Sequence, residues 1–422
     1  MTDILLQKFF EPERWEKAIE TGVGKGIDKG ELRQLCSPEI RATLYIHIKN
    51  NNYEIAPSHM AQIPKDDGTY RTVYINENID RIFLSITNDL LFEMFPDMIH
   101  SSCKSYQKGI GCGKVVQEAV KHIHKSESKE FGVKMDLSKY FDSVPIQFID
   151  DVFDEIEGRI GKSKIIDILR KYYHTDLCFD LEGNLIEQFS SLKQGCAVAS
   201  FLADVMLYHI DEELSSWNEY YVRYSDDILY IGDKYPSAIS YITNELEKMS
   251  MKLNPKKVEY LSKDKWFKFL GFNIKGDQIT LSKSRLKTFQ KEVEARLLKN
   301  NREGMTEEKA VNKINAYLYK GDGTYSWGTS VLPIINVQKD IDTLNKYVMD
   351  AIRAAQTGKT KIGGLGSCIE HPDFTIMRGT GRNVKANKEK VPGMIIGYYS
   401  IRCMQNAILS RRAVYETIVR GM

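Results

Sequence analysis

A chain of 422 residues, 42% apolar and 27% charged, is long enough for two to four domains with cores of their own. Its formal net charge of +2 excludes a chain-wide polycation, so any nucleic-acid contact must come from local basic surfaces. The lack of an 18-residue apolar run, of a basic leader at Met1-Thr2-Asp3 and of any Cys-x-x-Cys among seven cysteines predicts a cytoplasmic protein without membrane, disulfide or zinc.

In chain order, residues 1–60 read as a helical lead-in, with Phe9-Phe10 as an apolar anchor before a helix start at Pro12. Residues 63–75 read as a hairpin with an Asp-Gly turn, projecting Lys65 and Arg71 from its two arms. Apolar residues at helical spacing predict a helix from Ile79 to Phe95, closed by Pro96. A glycine-rich basic loop, 105–113, precedes a helix near Val115–His124. Phe131 to Met135 is strand-like and delivers Asp136. One or two helices follow over 146–173, then short strands over 175–190. Ala197–Leu214 reads as one helix, apolar on most faces and so buried.

Tyr224-Ser225-Asp226-Asp227 sits between the strand formers Tyr220-Tyr221-Val222 and Ile228-Leu229-Tyr230-Ile231. That predicts a hairpin whose four-residue polar tip carries two adjacent carboxylates. An amphipathic helix over 236–249 follows, and Leu253-Asn254-Pro255-Lys256-Lys257 turns the chain back toward a strand at 267–272. The order β, α, β, β, α, β around the acids predicts an α+β fold with a ferredoxin-like sheet. Three helices are expected over 284–300, 306–319 and 337–356, the first lined with basic residues including Arg285. Residues 357–422 hold eleven Lys or Arg against four acids, a formal +7, so the other 356 residues sum to −5.

Taken together, these motifs resemble a known family. Asp136-Leu137-Ser138-Lys139-Tyr140-Phe141-Asp142, Gln194-Gly195 before a helix, Tyr-x-Asp-Asp at 224–227, Leu-Asn-x-x-Lys ending at Lys257, and Phe269-Leu270-Gly271 occur in the order of a reverse transcriptase palm. From about Ala61 to Phe272 the chain resembles a bacterial reverse transcriptase of the group II intron, retron and defence-associated lineage. The resemblance implies a right-hand polymerase: a lead-in at 1–60, fingers with the first palm elements at 61–130, palm at 131–275, helical thumb at 280–356 and a basic C-terminal element at 357–422. It implies an RNA-directed DNA polymerase using two Mg²⁺ ions.

Nucleotidyl transfer needs a hydroxyl activated and a pyrophosphate leaving group stabilised, which two divalent ions on converging carboxylates can supply. Asp136, Asp226 and Asp227 are the expected ligands, with Leu137 beside them. On the inferred palm Asp136 and Asp226 face each other, while Asp227, one position on, points differently because strand side chains alternate.

The resemblance further implies that Lys65 and Arg71 hold the triphosphate and that Phe141 excludes a ribose 2′-hydroxyl. Gln194 and Gly195 line the incoming nucleotide and template, and Lys257 protonates pyrophosphate. Tyr224, Leu270, Gly271, Arg285, Arg378, Arg382, Lys385 and Lys388 are the expected nucleic-acid contacts. Implied partners are dNTPs, an RNA template, its cDNA product and a dedicated structured non-coding RNA of the kind that serves stand-alone anti-phage enzymes. Nothing in the sequence sets an oligomeric state. Departures exist: Ala199-Ser200 replaces the usual Ser-Pro, Asp204 stands where Asn is common, and the retron markers and a His-Asn-His nuclease extension are absent. An RNA-directed RNA polymerase and a catalytically idle RNA-binding scaffold remain as alternatives, the first opposed by Phe141 and the second by three intact acids.

Overall fold

Each apolar stretch of the lead-in is closed by a capping residue, and the result is a run of short helices. These are α1 (Ile4–Phe9), α2 (Pro12–Thr21), α3 (Lys29–Leu35) and α4 (Pro38–Lys49). Asp3 and Ser37 accept backbone N–H groups at two of the N-termini, and Pro12 and Pro38 occupy first helical positions, where a missing N–H costs nothing. Trp15 is fully buried, its indole N–H donating to the Phe9 carbonyl at 2.9 Å.

The chain then forms β1 (Ser58–Pro64), β2 (Tyr70–Ile75), α5 (Asn78–Met94), α6 (Cys112–Lys125), β3 (Glu130–Asp136), α7 (Tyr140–Ser143), α8 (Ile146–Ile160) and α9 (Lys164–His174). Next come β4 (Leu177–Phe179), β5 (Leu185–Glu187), α10 (Ala199–Val205), α11 (Tyr208–Ser216), β6 (Tyr220–Tyr224), β7 (Asp227–Ile231), α12 (Tyr235–Lys248) and β8 (Glu259–Ser262). Last are β9 (Phe267–Phe269), β10 (Phe272–Lys275), β11 (Gln278–Leu281) and the helices α13 (Lys283–Leu297), α14 (Glu307–Tyr319) and α15 (Gln338–Gln356). The computed structural model describes residues 2–23, 26–65, 68–107, 109–301, 303–319, 327–356, 358, 370–371 and 374–375. Arg378, Arg382, Lys385 and Lys388 lie outside the described residues.

The central sheet runs in the order β6-β7-β3-β8. Its strands follow one another in sequence as β, α, β, β, α, β, the expected order, but the last strand is β8 and not the 267–272 stretch expected to fill that place, which instead forms β9 and β10 of another sheet. A second sheet, β2-β1-β4-β5, joins the early hairpin to the short strands after α9 through a parallel contact of Ser58 and His59 with Cys178 and Phe179. That non-local pairing has no signature in the sequence of either partner.

Another expectation fails here. Residues 197–214 are not one helix but α10 and α11, broken at Met206-Leu207. The carbonyls that would continue the helix are taken by side chains. Arg223 donates to Ala203 O at 3.1 Å and to Asp204 O at 2.7 Å, and the Tyr140 hydroxyl donates to Ala203 O at 2.7 Å. A carbonyl committed sideways to a guanidinium no longer draws the N–H four residues on.

The chain divides into two compact units. The first comprises 1–108 and 132–260, the second 109–131 and 261–422, the boundaries falling within β3 and β8. A single apolar core serves the first unit, from Leu5 and Phe9 through Phe83, Phe153 and Phe201 to Met251. In the second unit β11-β10-β9 form a sheet, and α13, α14 and α15 pack on one another around Phe289, Val293, Ile314 and Val348.

Candidate active site

In the first unit the site is built on the β6–β7 hairpin. Tyr220 to Arg223 are all buried, and Tyr224 pairs directly with Asp227, so the connecting loop is only Ser225-Asp226. This is shorter than the four-residue tip the sequence suggested. Ser225 has φ +58, a left-handed backbone at the first loop position, where glycine is usual.

The shorter loop changes which acids pair in the ladder. The β3–β7 ladder runs from Gly132 opposite Ile231 to Asp136 opposite Asp227. In the ladder Asp136 is therefore paired with Asp227, where β7 begins, and Asp226 is the turn residue, its carboxyl still feeling the Asp136 charge ahead of that of Asp227. Directly opposed strand residues have Cβ atoms about 5 Å apart. Asp226 is tied to the same place, since its carbonyl accepts the Leu137 N–H at 3.1 Å.

The electrostatics follow from this crowding. Burial pushes the Asp226 carboxyl up to about 6, and the neighbouring Asp136 and Asp227 charges add to the shift. Burial also raises Asp136, opposed by the hydrogen bond and charge of Lys257, whose Nζ donates to Asp136 Oδ2 at 2.7 Å. Lys134 Nζ lies 3.3 Å from Asp227 Oδ1.

The Leu-Asn-x-x-Lys motif has a clear local role. The Asn254 side chain accepts the Lys256 N–H at 3.1 Å and caps a single 3₁₀ turn, Pro255–Lys257, that aims Lys257 at Asp136. The Asn254 N–H donates to Asp136 O at 2.8 Å, and Leu137 bridges to Leu253. Asp136 is thus gripped between the hairpin and this turn.

Gln194 and Gly195 dock on the other hairpin. The Tyr74 N–H donates to Gln194 O at 2.7 Å, and Gly195 has φ +114 with space for no side chain, a Cβ there falling 2.7 Å from Tyr74 O. Tyr74 belongs to β2, the strand that carries Arg71. Arg71 is exposed, and its charge reaches Tyr106, whose hydroxyl approaches the Ser225 hydroxyl at 3.5 Å. Lys65, beyond the end of β1, is also exposed and acts on Asp142. Phe141 is half-buried in α7, packed edge-on against Tyr140, with its carbonyl accepting the Leu192 N–H at 2.9 Å.

In the second unit, Leu270 and Gly271 are not strand residues but the turn between β9 and β10, with φ +47 and +81. Arg285, from the first turn of α13, donates to Leu270 O at 3.0 Å and lies over the Phe272 ring at 4.6 Å. Its guanidinium is engaged in shaping that turn.

Sequence reasoning missed the residues beneath the hairpin. Arg223 is fully buried and donates to both carboxylate oxygens of Asp211, also fully buried. The signal was present: a lone Arg inside an apolar strand has to be paired. Ser105 was read only as part of a glycine-rich loop, and Lys134 was not singled out.

Residues 63–274 match the family model "Reverse transcriptase (RNA-dependent DNA polymerase)". The chain belongs to that family. This reverse transcriptase has the family's α+β polymerase fold, and the family assignment makes it an RNA-directed DNA polymerase, a nucleotidyltransferase. No curated protein matches its sequence. Among solved structures it is similar to telomerase from Candida albicans in complex with a TWJ fragment of telomeric RNA, at 12% identity over 92% of this chain and 70% of that one, TM-score 0.42. Apo telomerase from Candida tropicalis truncated from the C-terminal domain matches at 14% identity over 60% of this chain and 67% of that one, TM-score 0.40. A partial Cas6-RT-Cas1–Cas2 complex matches at 17% identity, covering 58% of this chain and 41% of that one, TM-score 0.33.

Reverse transcriptases in general use divalent metal ions. Among the described residues no three His, Cys, Asp or Glu side chains are gathered as a ready-made metal cage. The donor set nevertheless fits a hard divalent cation, since it consists of carboxylate oxygens, with Asp226 raised first by burial and then by the charges of Asp136 and Asp227. Two lysine ammonium groups meet part of that negative charge.

Proposed function

We propose that this reverse transcriptase makes cDNA by Mg²⁺-dependent nucleotidyl transfer at Asp136, Asp226 and Asp227. The observation that carries the reading is the pairing of Asp136 with Asp227 on adjacent strands, with the half-buried Asp226 in the adjoining turn and its carboxyl pushed up to about 6 by burial and by both charges. Asp136, Asp226 and Asp227 would hold two Mg²⁺ ions, which when bound would supply activation of the primer hydroxyl and stabilisation of the leaving pyrophosphate.

The chain's own residues do the rest. Lys257, held against Asp136, orients that carboxylate and gives a proton to the leaving group. Arg71 and Lys65, on the hairpin fixed by Gln194 and Gly195, meet the triphosphate. The half-buried Phe141 fills the space beside the sugar and rejects a 2′-hydroxyl. Tyr224, Leu270 and Gly271 contact template and primer. The excess charge of residues 357–422 supports binding of a structured non-coding RNA, and the resemblance to stand-alone bacterial enzymes supports a cytoplasmic role in anti-phage defence.

The test is primer extension on an RNA template with dNTPs or NTPs, for the wild type and Phe141→Ala. The wild type is expected to extend with dNTPs only and Phe141→Ala to admit NTPs. Equal use of NTPs by the wild type would overturn the DNA-polymerase reading. Unchanged rejection by Phe141→Ala would place the sugar gate elsewhere.

A further inference from the structure

The loop that carries Asp226 adopts an unfavourable backbone, and buried polar side chains hold it from both sides. Residues 102–104 run beside β6: the Arg223 N–H donates to Ser102 O at 3.0 Å and the Lys104 N–H to Arg223 O at 2.9 Å. This pairing delivers Ser105 beneath the turn, where its hydroxyl accepts the Ser225 N–H at 2.9 Å and donates to Asp204 Oδ1. On the other side Arg223 Nη1 donates to Ser225 O at 3.3 Å, while its Nε and Nη2 are fixed by Asp211. The Tyr221 hydroxyl also donates to Asp211, at 2.7 Å.

Ser105, Asp204, Asp211 and Arg223 are all fully shielded from solvent. Both backbone groups of Ser225 thus end on side chains that cannot swing away into water. A left-handed non-glycine residue persists only when its surroundings over-determine it, and here they do.

We propose that Ser105, oriented by Asp204, and Arg223, oriented by Asp211, are positioning residues that clamp the Ser225 peptide and so hold Asp226 and Asp227 in place to receive metal. The proposal rests on the reading of Asp226 and Asp227 as metal-binding residues. Toward Ser105, Asp204 contributes one acceptor oxygen. Its second carboxylate oxygen has no hydrogen-bond partner among the described residues, so replacing it with an amide nitrogen breaks no hydrogen bond and an Asn carbonyl can still accept from the Ser105 hydroxyl.

The test uses the full-length protein and its Ser105→Ala, Asp204→Asn and Asp226→Ala variants, with two readouts that need no turnover. The first is amide hydrogen exchange of the peptide spanning Ser225 in EDTA. The second is binding of MgCl₂ by calorimetry, with the melting temperature measured alongside. Loss of the Ser105 acceptor should speed exchange at Ser225 and weaken Mg²⁺ binding, each about tenfold, the worth of one hydrogen bond. Asp204→Asn should match the wild type in both.

A Ser105→Ala protein with lowered melting temperature but unchanged exchange and Mg²⁺ binding would make the contact merely structural and overturn the proposal. Should Asp204→Asn behave like Ser105→Ala, the role assigned to Asp204 falls. Mg²⁺ binding that survives in Asp226→Ala would defeat the metal reading, and exchange at Ser225 would then judge the clamp by itself.

Discussion

Replacing Asp226 with Asn in the metal-free protein should make it more stable at neutral pH. Burial and two neighbouring carboxylates raise the Asp226 carboxyl from 3.8 to about 6. Two pKa units at about 1.4 kcal/mol each come to roughly 3 kcal/mol. For an acid whose folded pKa is raised, that stabilising contribution is complete below the unfolded pKa and is lost as pH rises through the folded one. Here it is complete below about 3.8 and gone above about 6, so at pH 7.5 the wild type folds with an unfavourable ionised group. Asn carries no charge to bury. Urea denaturation in EDTA, followed by circular dichroism, should show the variant more stable by about 1–3 kcal/mol at pH 7.5 and by far less at pH 4. Adding Mg²⁺ at pH 7.5 should stabilise the wild type and leave the variant nearly unchanged. A variant no more stable than the wild type at pH 7.5 without metal would refute the argument that crowded charge is stored at this turn.

Two further outcomes follow from the geometry and the charge. Gly195→Ala forces a side chain into a left-handed backbone and against Tyr74 O, displacing the Tyr74–Gln194 hydrogen bond; a loss of about 2–3 kcal/mol in urea and a raised KM for dNTPs are expected. Unchanged stability and KM would separate Gln194-Gly195 from the hairpin that carries Arg71. Deleting 357–422 removes a formal +7 and should weaken binding to structured RNA and flatten its salt dependence, as fewer counterions are released; equal affinity and slope would exclude an RNA contact there.

Local features were legible in the sequence because each rested on a short-range rule. The apolar spacing of Ile82, Phe83, Ile86, Leu90 and Leu91 gave α5, and the strand formers around Tyr224 gave the β6–β7 hairpin. The order of strands and helices implied β3, β6 and β7 of the central sheet without any long-range information, but its last strand is β8 and not the expected 267–272 stretch. What the sequence concealed was pairing between distant segments. The break between α10 and α11 is made by Arg223 taking carbonyls some twenty positions away. The loop length, and with it the pairing of Asp136 with Asp227, depends on a register that alternation alone does not fix. Ser105 gave no sign of its role, since its partner amide lies 120 residues further on.

The central claim is that the hairpin acids carry out the polymerisation. It is tested most directly by primer extension on an RNA template with dNTPs and Mg²⁺, comparing the wild type with the double variant Asp226→Ala, Asp227→Ala, with folding of both checked by circular dichroism. Extension lost by at least a thousandfold in a folded protein is the expected result, since such electrostatic contributions are each worth about 10²–10³ in rate. Extension by the double variant near the wild-type level would contradict the account.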